Sequence, residues 1–245
     1  MSDESAVRIA VVLPDLLGTY GDAGNARVLS RRLEWRGLRS TVVPVTYGSS
    51  VPACCDVYLI GGGEDAAQQL AVRHLRRHAG LQHGVDRGSA VLAVCAGLQI
   101  LGKGFPGSDG GRCAGLGLLD ASTFRRPRRA VGEVVAEPGG LGLRQPLTGF
   151  ENHLGATVLG GDTVPLATVT HGVGNGTQDR AEGAVCGRIV ATYLHGPVLA
   201  RNPELADLLL GWATGAVLAP LTVDAVSRLR SQRLHHSGGD QRRRT

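Results

Sequence analysis

Ser89-Ala-Val-Leu-Ala-Val-Cys-Ala-Gly-Leu-Gln-Ile-Leu-Gly102 changes its period in the middle. Ala90 to Val94 is an unbroken apolar run, as expected of a strand buried on both faces. From Ala96 onward the apolar residues Ala96, Leu98, Ile100 and Leu101 fall at helical spacing, with Gly97 in the turn. A buried strand therefore ends at Cys95, on a sharp turn into a helix. In such a nucleophile elbow the turn lifts the reactive atom clear of the sheet's carboxyl edge. The helix N-terminus behind it offers free N–H groups and partial positive charge, which favour a thiolate over a thiol. A lone cysteine is more often a small core residue, so the rest of the chain must decide between the two readings.

Working outward, the same alternation repeats. Arg8 to Leu13, Thr41 to Val45 and Val57 to Ile60 read as short buried strands. Between them lie a helix from Ala26 to Trp35, with Asn25 as N-cap and Gly37 as stop, and helical sequence running to His78. Strands alternating with helices give an α/β fold, a mostly parallel sheet with helices on both faces. Ligands in such sheets bind outside the carboxyl ends of the strands, where both Gly61-Gly62-Gly63 and Cys95 fall. A tight turn needs one or two glycines. A third suggests an exposed N–H aimed at a developing oxyanion, with Ala96 supplying the second donor. No Gly-Lys-Ser/Thr follows, so a phosphate loop is disfavoured.

The second half reads differently. Gly115–Leu119 and Val131–Val135 look like strands, some of them antiparallel, with Arg125, Arg126, Arg128 and Arg129 in a solvated loop between them. Gly149-Phe-Glu-Asn-His-Leu-Gly155 and a polar turn around Gly172 to Gly176 precede a strand, Arg188 to Tyr193, that ends Leu194-His195-Gly196-Pro197. Asn202-Pro203-Glu204 starts a last helix, to about Ala219.

Composition bounds the class. The 245 residues hold 37 glycines, five cysteines and a formal charge of +5. Cys54 and Cys55 are adjacent, and no cysteine pair has metal-site spacing, so no metal is expected. Met1 to Ser5 is polar and acidic, unlike a secretory signal. Leu208 to Val223 is short and interrupted by Gly211, Gly215 and Pro220, so no transmembrane segment is expected. Reduced thiols in a cytoplasmic protein fit these features. The arginine-rich end lacks interleaved aromatics, so no nucleic-acid partner is expected. Residues 6–220 are read as one domain and 228–245 as a basic, disordered tail.

A cysteine that cleaves an amide needs a base to take its proton and return it to the leaving amine. Of eight histidines, His74, His78 and His83 lie on a charged helix and its exit, and His235 and His236 near the C-terminus. His171 is in a polar turn. His195 follows an apolar strand almost directly and should emerge beside Cys95, although a histidine that merely caps a strand would look the same. His153, between Gly149 and Gly155, reads as structural or supporting.

Together these residues resemble the class I (triad) glutamine amidotransferases. The branch is the one that includes cobyric acid synthase, and within it the glutaminase subunits of lipid II-amidating complexes are most similar. The stretches that carry the resemblance are Leu13-Pro-Asp-Leu-Leu17, Gly21-Asp-Ala-Gly-Asn25, Arg31-Arg-Leu-Glu-Trp-Arg-Gly37, Gly61-Gly-Gly-Glu-Asp65, Val94 to Gly102, Gly149-Phe-Glu-Asn-His153 and Tyr193-Leu-His-Gly-Pro197. The resemblance implies that Cys95 attacks the side-chain amide of L-glutamine, with His195 as base and acid and Gly63 and Ala96 as oxyanion donors. Arg129, or second Arg128, would hold the substrate's α-carboxylate, and Gln99, Glu151 and His153 would support the site. It further implies a Mur-ligase-like synthetase partner that holds ATP and magnesium, receives the ammonia and amidates the D-glutamate of lipid II. No cofactor is implied in this chain.

Two departures stand out. Ala93 occupies a position usually held by glycine. Pro197 stands where most triad enzymes place the glutamate that orients the histidine, so an acid from the partner is expected, with Glu151 as the alternative within the chain. The long loop Leu16 to Asn25 is expected to help form a docking surface or the ammonia exit, or else to be a plain surface loop. Arg31, Arg32 and Arg36 are expected on an outer helix face. A corrin-pathway amidotransferase domain and a non-catalytic, partner-binding scaffold are the competing readings.

Overall fold

The computed structural model describes residues 6–241, with side chains through residue 234. In chain order the elements are β1 (Val7–Val12), α1 (Gly24–Glu34), β2 (Ser40–Val45), β3 (Val57–Ile60), α2 (Asp65–Arg77), α3 (Gly80–Asp86), β4 (Ala90–Val94), α4 (Ala96–Leu101), β5 (Gly104–Pro106), β6 (Arg112–Ala114), β7 (Ala121–Pro138), β8 (Leu147–Leu159), β9 (Ala167–His171), β10 (Ala181–Glu182), β11 (Ala184–Cys186), β12 (Ile189–Thr192), α5 (Val198–Arg201), α6 (Pro203–Thr214) and α7 (Asp224–Gln241).

The apolar runs form one sheet of order β11-β12-β4-β3-β1-β2, parallel except for β11. Its inner strands are largely apolar at successive residues because both faces are covered, whereas β2 at the edge is only partly buried. Ala10 and Val12 of β1 pack into one core with α2, α3 and α4. Ile9 and Val11 pack into the other with α1 and α6. Register aligns Val12 with Ile60, Ile60 with Ala93, and Ala93 with Ala191. The carboxyl ends of β1, β3, β4 and β12 therefore open onto one edge, where the chain sets down the Leu16–Asn25 loop, the glycine triplet, Cys95 and His195.

A second sheet, of order β10-β9-β7-β5-β6 with β8 paired to β7, stands beside that edge. Reciprocal backbone hydrogen bonds join Phe150 of β8 to His195 (His195 N–H to Phe150 O 2.8 Å, Phe150 N–H to His195 O 3.1 Å) and so tie the two sheets together.

Several local readings are corrected. Gly115–Leu119 forms no strand. The four arginines lie within β7, not in a loop, at a bulge where pairing jumps from Arg125 opposite Gly155 to Ala130 opposite His153. Asn25 does not cap α1. It is buried inside the helix, and its side-chain oxygen accepts the Leu199 N–H at 3.0 Å. Arg32 is not on an outer face: it is 4% exposed and forks onto Asp207 at 2.6 and 2.7 Å, with Arg36 on the same carboxylate. His74 is buried against the Ser49 carbonyl.

Arg228 to Gln241, expected as a flexible tail, lies in α7. Buried Arg230 anchors it, donating to the carbonyls of Arg201 and Pro146 and to Gln145 and Asn202. Arg242, Arg243 and Arg244 and the side chains of His235 and His236 lie outside the described residues. Among the described residues no helix is long and apolar enough to cross a membrane.

Candidate active site

Cys95 sits between β4 and α4 with φ 53° and ψ −103°, a conformation that L-residues rarely adopt. Two constraints hold it there. Its N–H donates to Thr192 O of the neighbouring strand at 2.8 Å. Gly97 packs so tightly on β3 that a Cβ would stand 2.8 Å from the Ile60 carbonyl oxygen. Ala93 is fully buried and is accommodated beside Gly97. As the first residue of α4, Ala96 has no carbonyl one turn behind it in the helix, so its N–H is available to a developing oxyanion.

The glycine triplet has a reason sharper than a tight turn. A Cβ on Gly61 would lie 2.3 Å from Leu17 O. On Gly63 it would lie 2.8 Å from Leu17 Cδ2, and on Gly62 2.8 Å from His195 Cε1 and 3.4 Å from Cys95 Cβ. The end of β3 is thus the floor on which the thiol, the imidazole and the Leu16–Asn25 loop all rest.

That loop brings in the residue that sequence reasoning missed. Asp22 is 3% exposed, and both its carboxylate oxygens lie 3.1 Å from His195 Nδ1, with Oδ2 also accepting the Gly62 N–H at 2.8 Å. The carboxylate fixes the proton on Nδ1 and turns Nε2 away from itself. Nε2 is screened from solvent and has no hydrogen-bond partner among the described residues. Burial works against the imidazolium, but the Asp22 hydrogen bond and the neighbouring Cys95 sulfur outweigh it and push His195 up to about 10. The signal available in the sequence was an aspartate flanked by glycines just beyond the carboxyl end of β1.

Glu151 does not reach His195. It is buried, and it accepts the N–H groups of Val173 and Gly174 at 2.8 and 2.9 Å, holding the 172–176 turn. Within this chain the acid at Nδ1 of His195 is Asp22. His153 stacks on Tyr193 with centroids 3.8 Å apart and lies 3.0 Å, through Nδ1, from Gly155 O. The Gln99 side chain accepts from Gln68 at 2.9 Å and donates to the Tyr193 hydroxyl at 3.0 Å. Gln99 and His153 thus build the wall of the site.

The cleft before Cys95 is also lined by Gly63, Glu64, Asp65, Ala96, Arg125 and Arg129. Arg128 is exposed and does not line it. Arg129 donates to Asn152 Oδ1 at 2.8 Å, and Asn152 in turn donates to the Tyr20 hydroxyl. The Tyr20 ring lies edge-on to His195, with centroids 4.9 Å apart.

A thiol lifted to a helix N-terminus, facing a carboxylate-oriented imidazole across an open cleft, suits acyl transfer from an amide. On a doubly wound sheet of this order the arrangement is that of a class I glutamine amidotransferase. The chain belongs to the CobB/CobQ-like glutamine amidotransferase domain family, matched over residues 8–203. It is 34% identical over 227 residues, 91% of each chain, to the lipid II isoglutaminyl synthase (glutamine-hydrolyzing) subunit GatD of Staphylococcus aureus. The same-named subunit of Streptococcus pneumoniae is 32% identical over 203 residues, 82% of this chain and 77% of that one. The fold matches a crystal structure of a glutamine amidotransferase with a TM-score of 0.58 at 21% identity, covering 84% of this chain and 98% of that one.

Proposed function

We propose that this protein is the glutaminase subunit of a lipid II isoglutaminyl synthase, working in the cytoplasm. It hydrolyses L-glutamine and supplies ammonia to a Mur-ligase-like partner, which amidates the D-glutamate of lipid II with ATP and magnesium. The observation that carries this reading is the likeness over nine tenths of both chains to a subunit of that name, together with the Cys95–His195–Asp22 arrangement.

The chemistry follows from the chain's own side chains. The Cys95 thiolate attacks the carboxamide carbon, and the oxygen, now negative, takes the N–H groups of Gly63 and Ala96. His195, having received the thiol proton, gives it to the departing nitrogen. Ammonia leaves and a thioester remains. Water then attacks the thioester while His195 takes its proton, and glutamate departs as the sulfur is released. Asp22 holds the imidazole in the tautomer that both steps need and stabilises its charged form. Arg129 grips the α-carboxylate from the β7 side of the cleft.

The test is to assay ammonia release and lipid II amidation by the protein together with its synthetase partner. Cys95→Ala should abolish ammonia release from glutamine and leave amidation from added ammonium intact. A glutamine-analogue electrophile should label Cys95. Label on Cys113 or Cys186, or undiminished release by Cys95→Ala, would overturn the assignment.

A further inference from the structure

We propose that Tyr20 is a positioning residue that covers the catalytic imidazole on its cleft side, latched there through Asn152 to Arg129. This inference rests on the glutaminase reading above. Tyr20 lines the cleft together with His195, Asn152 and Arg129. Its ring stands edge-on to the imidazole; Tyr20 is 48% exposed, whereas His195 is 1% exposed. The tyrosine ring is thus the layer between His195 and the water of the cleft. It also lies against Phe150, with centroids 6.1 Å apart, and the Phe150 backbone holds that of His195.

The backbone on either side of Tyr20 is pinned to one glycine. The Thr19 N–H donates to Gly62 O at 3.2 Å, and the Gly62 N–H donates to Asp22 Oδ2 at 2.8 Å. Between those anchors Tyr20 takes φ 59°, a left-handed value that a bulky residue keeps only where its surroundings impose it. The hydroxyl supplies a third hold. It accepts an N–H of the Asn152 carboxamide, whose oxygen in turn accepts an N–H of Arg129 at 2.8 Å. A carboxamide that offers its nitrogen to one neighbour and its oxygen to the other is fixed in orientation by both. The links Arg129–Asn152–Tyr20 therefore run from the proposed α-carboxylate clamp on β7, across β8, to the ring on the imidazole. The consequence is kinetic. His195 must meet first the thiol and then the departing nitrogen. A tyrosine ring free to swing away would let the imidazole tilt and would admit water to compete for its proton.

The experiment measures ammonia release from L-glutamine by the synthetase complex, for the unaltered protein, Tyr20→Phe, Asn152→Ala and the double variant. Tyr20→Phe keeps the ring and cuts the latch. Its kcat should fall by about tenfold while KM stays within about twofold, because the hydroxyl faces Asn152 rather than the substrate. Asn152→Ala should lower kcat to a similar extent and raise KM as well, because Arg129 loses its holder. The double variant should match the kcat of Tyr20→Phe within about twofold, since both substitutions cut the same latch. An unchanged kcat in Tyr20→Phe, a rise in KM alone, or losses that multiply in the double variant would each overturn the assignment to Tyr20. If the unaltered complex releases no ammonia from glutamine, it is the glutaminase reading that fails, so the two failures are distinguishable.

Discussion

Asp22 and His195 stand 173 positions apart in the chain, yet both oxygens of the carboxylate lie 3.1 Å from one imidazole nitrogen. The pair is nearly sealed from solvent, with each side chain 1% exposed. A carboxylate so placed meets the imidazole from the Leu16–Asn25 loop, while Pro197, two residues after the histidine, is free to pack. Gly24 fits under that ring so closely that a Cβ would stand 2.6 Å from Pro197 Cγ.

Asp22→Asn keeps the shape and removes the charge, and its amide can offer an N–H where Nδ1–H needs an acceptor. Glutaminase turnover should fall by about 10²- to 10⁴-fold. The His195 pKa, followed by the NMR titration of its ring, should move down from about 10. A loss under about tenfold would mean that another acid, such as one from the partner, orients the histidine.

Arg129 and Arg128 make opposite predictions, although they are neighbours in sequence. Only Arg129 lines the cleft, so Arg129→Ala should raise KM for glutamine by about 10- to 100-fold. Arg129→Lys should recover only part of this, because lysine lacks the planar fork. Arg128→Ala should leave KM within about twofold. Steady-state kinetics on the three variants decides the matter, and a reversed pattern would move the clamp by one residue.

A single methyl group at Gly62 is enough to disturb the site. Its Cβ would meet His195 Cε1 at 2.8 Å, so Gly62→Ala must displace the ring or the end of β3. Displacement of about 1 Å costs on the order of 10²-fold in rate. Turnover should drop by that amount while circular dichroism stays that of the native fold. Unimpaired turnover would show that the imidazole has room to spare.

Glu182 links stability to pH. Its carboxyl is fully buried and accepts the Thr192 hydroxyl and the Tyr193 N–H, bracing the strand just before His195. Burial raises its pKa from 4.5 to about 7, against the pull of those hydrogen bonds. The folded protein thus holds this proton more tightly than the unfolded chain. The associated stability is full below about pH 4.5 and is lost as pH rises through about 7. Glu182→Gln, which keeps the acceptor and cannot ionise, should be more stable than the parent at pH 8 by on the order of a few kcal/mol. The gain should shrink toward pH 5. Denaturant unfolding at the two pH values measures it, and a gain independent of pH would refute the buried proton.

The frame of the molecule was legible because its strands are short, apolar and punctuated by glycine. Ala90–Val94 and Val57–Ile60 were readable to the residue, and Cys95 was visible as the point where the period changes. The second sheet was less so. β7 is amphipathic and interrupted by a four-arginine bulge, so hydrophobic alternation fails where the strand continues by pairing with β8. Asp22 was hidden for a different reason. An aspartate between glycines has the sequence of a surface turn, and only the close approach of the loop to Gly61, Gly62 and Gly63 turns it inward. Arg32 was misplaced in the same way: helical periodicity assigns it outward, but Asp207 on α6 supplies a partner that makes burial tolerable.

The backbone at Cys95 carries a last consequence. A side chain held at φ 53° and ψ −103° sits where only glycine is at ease. The residue to which we assign the nucleophile's role is therefore one that the fold alone would reject. Selection for thermal robustness and selection for turnover pull on this position in opposite directions. A lineage that lost the need for ammonia would be expected to drift here first, toward glycine, with a gain in stability.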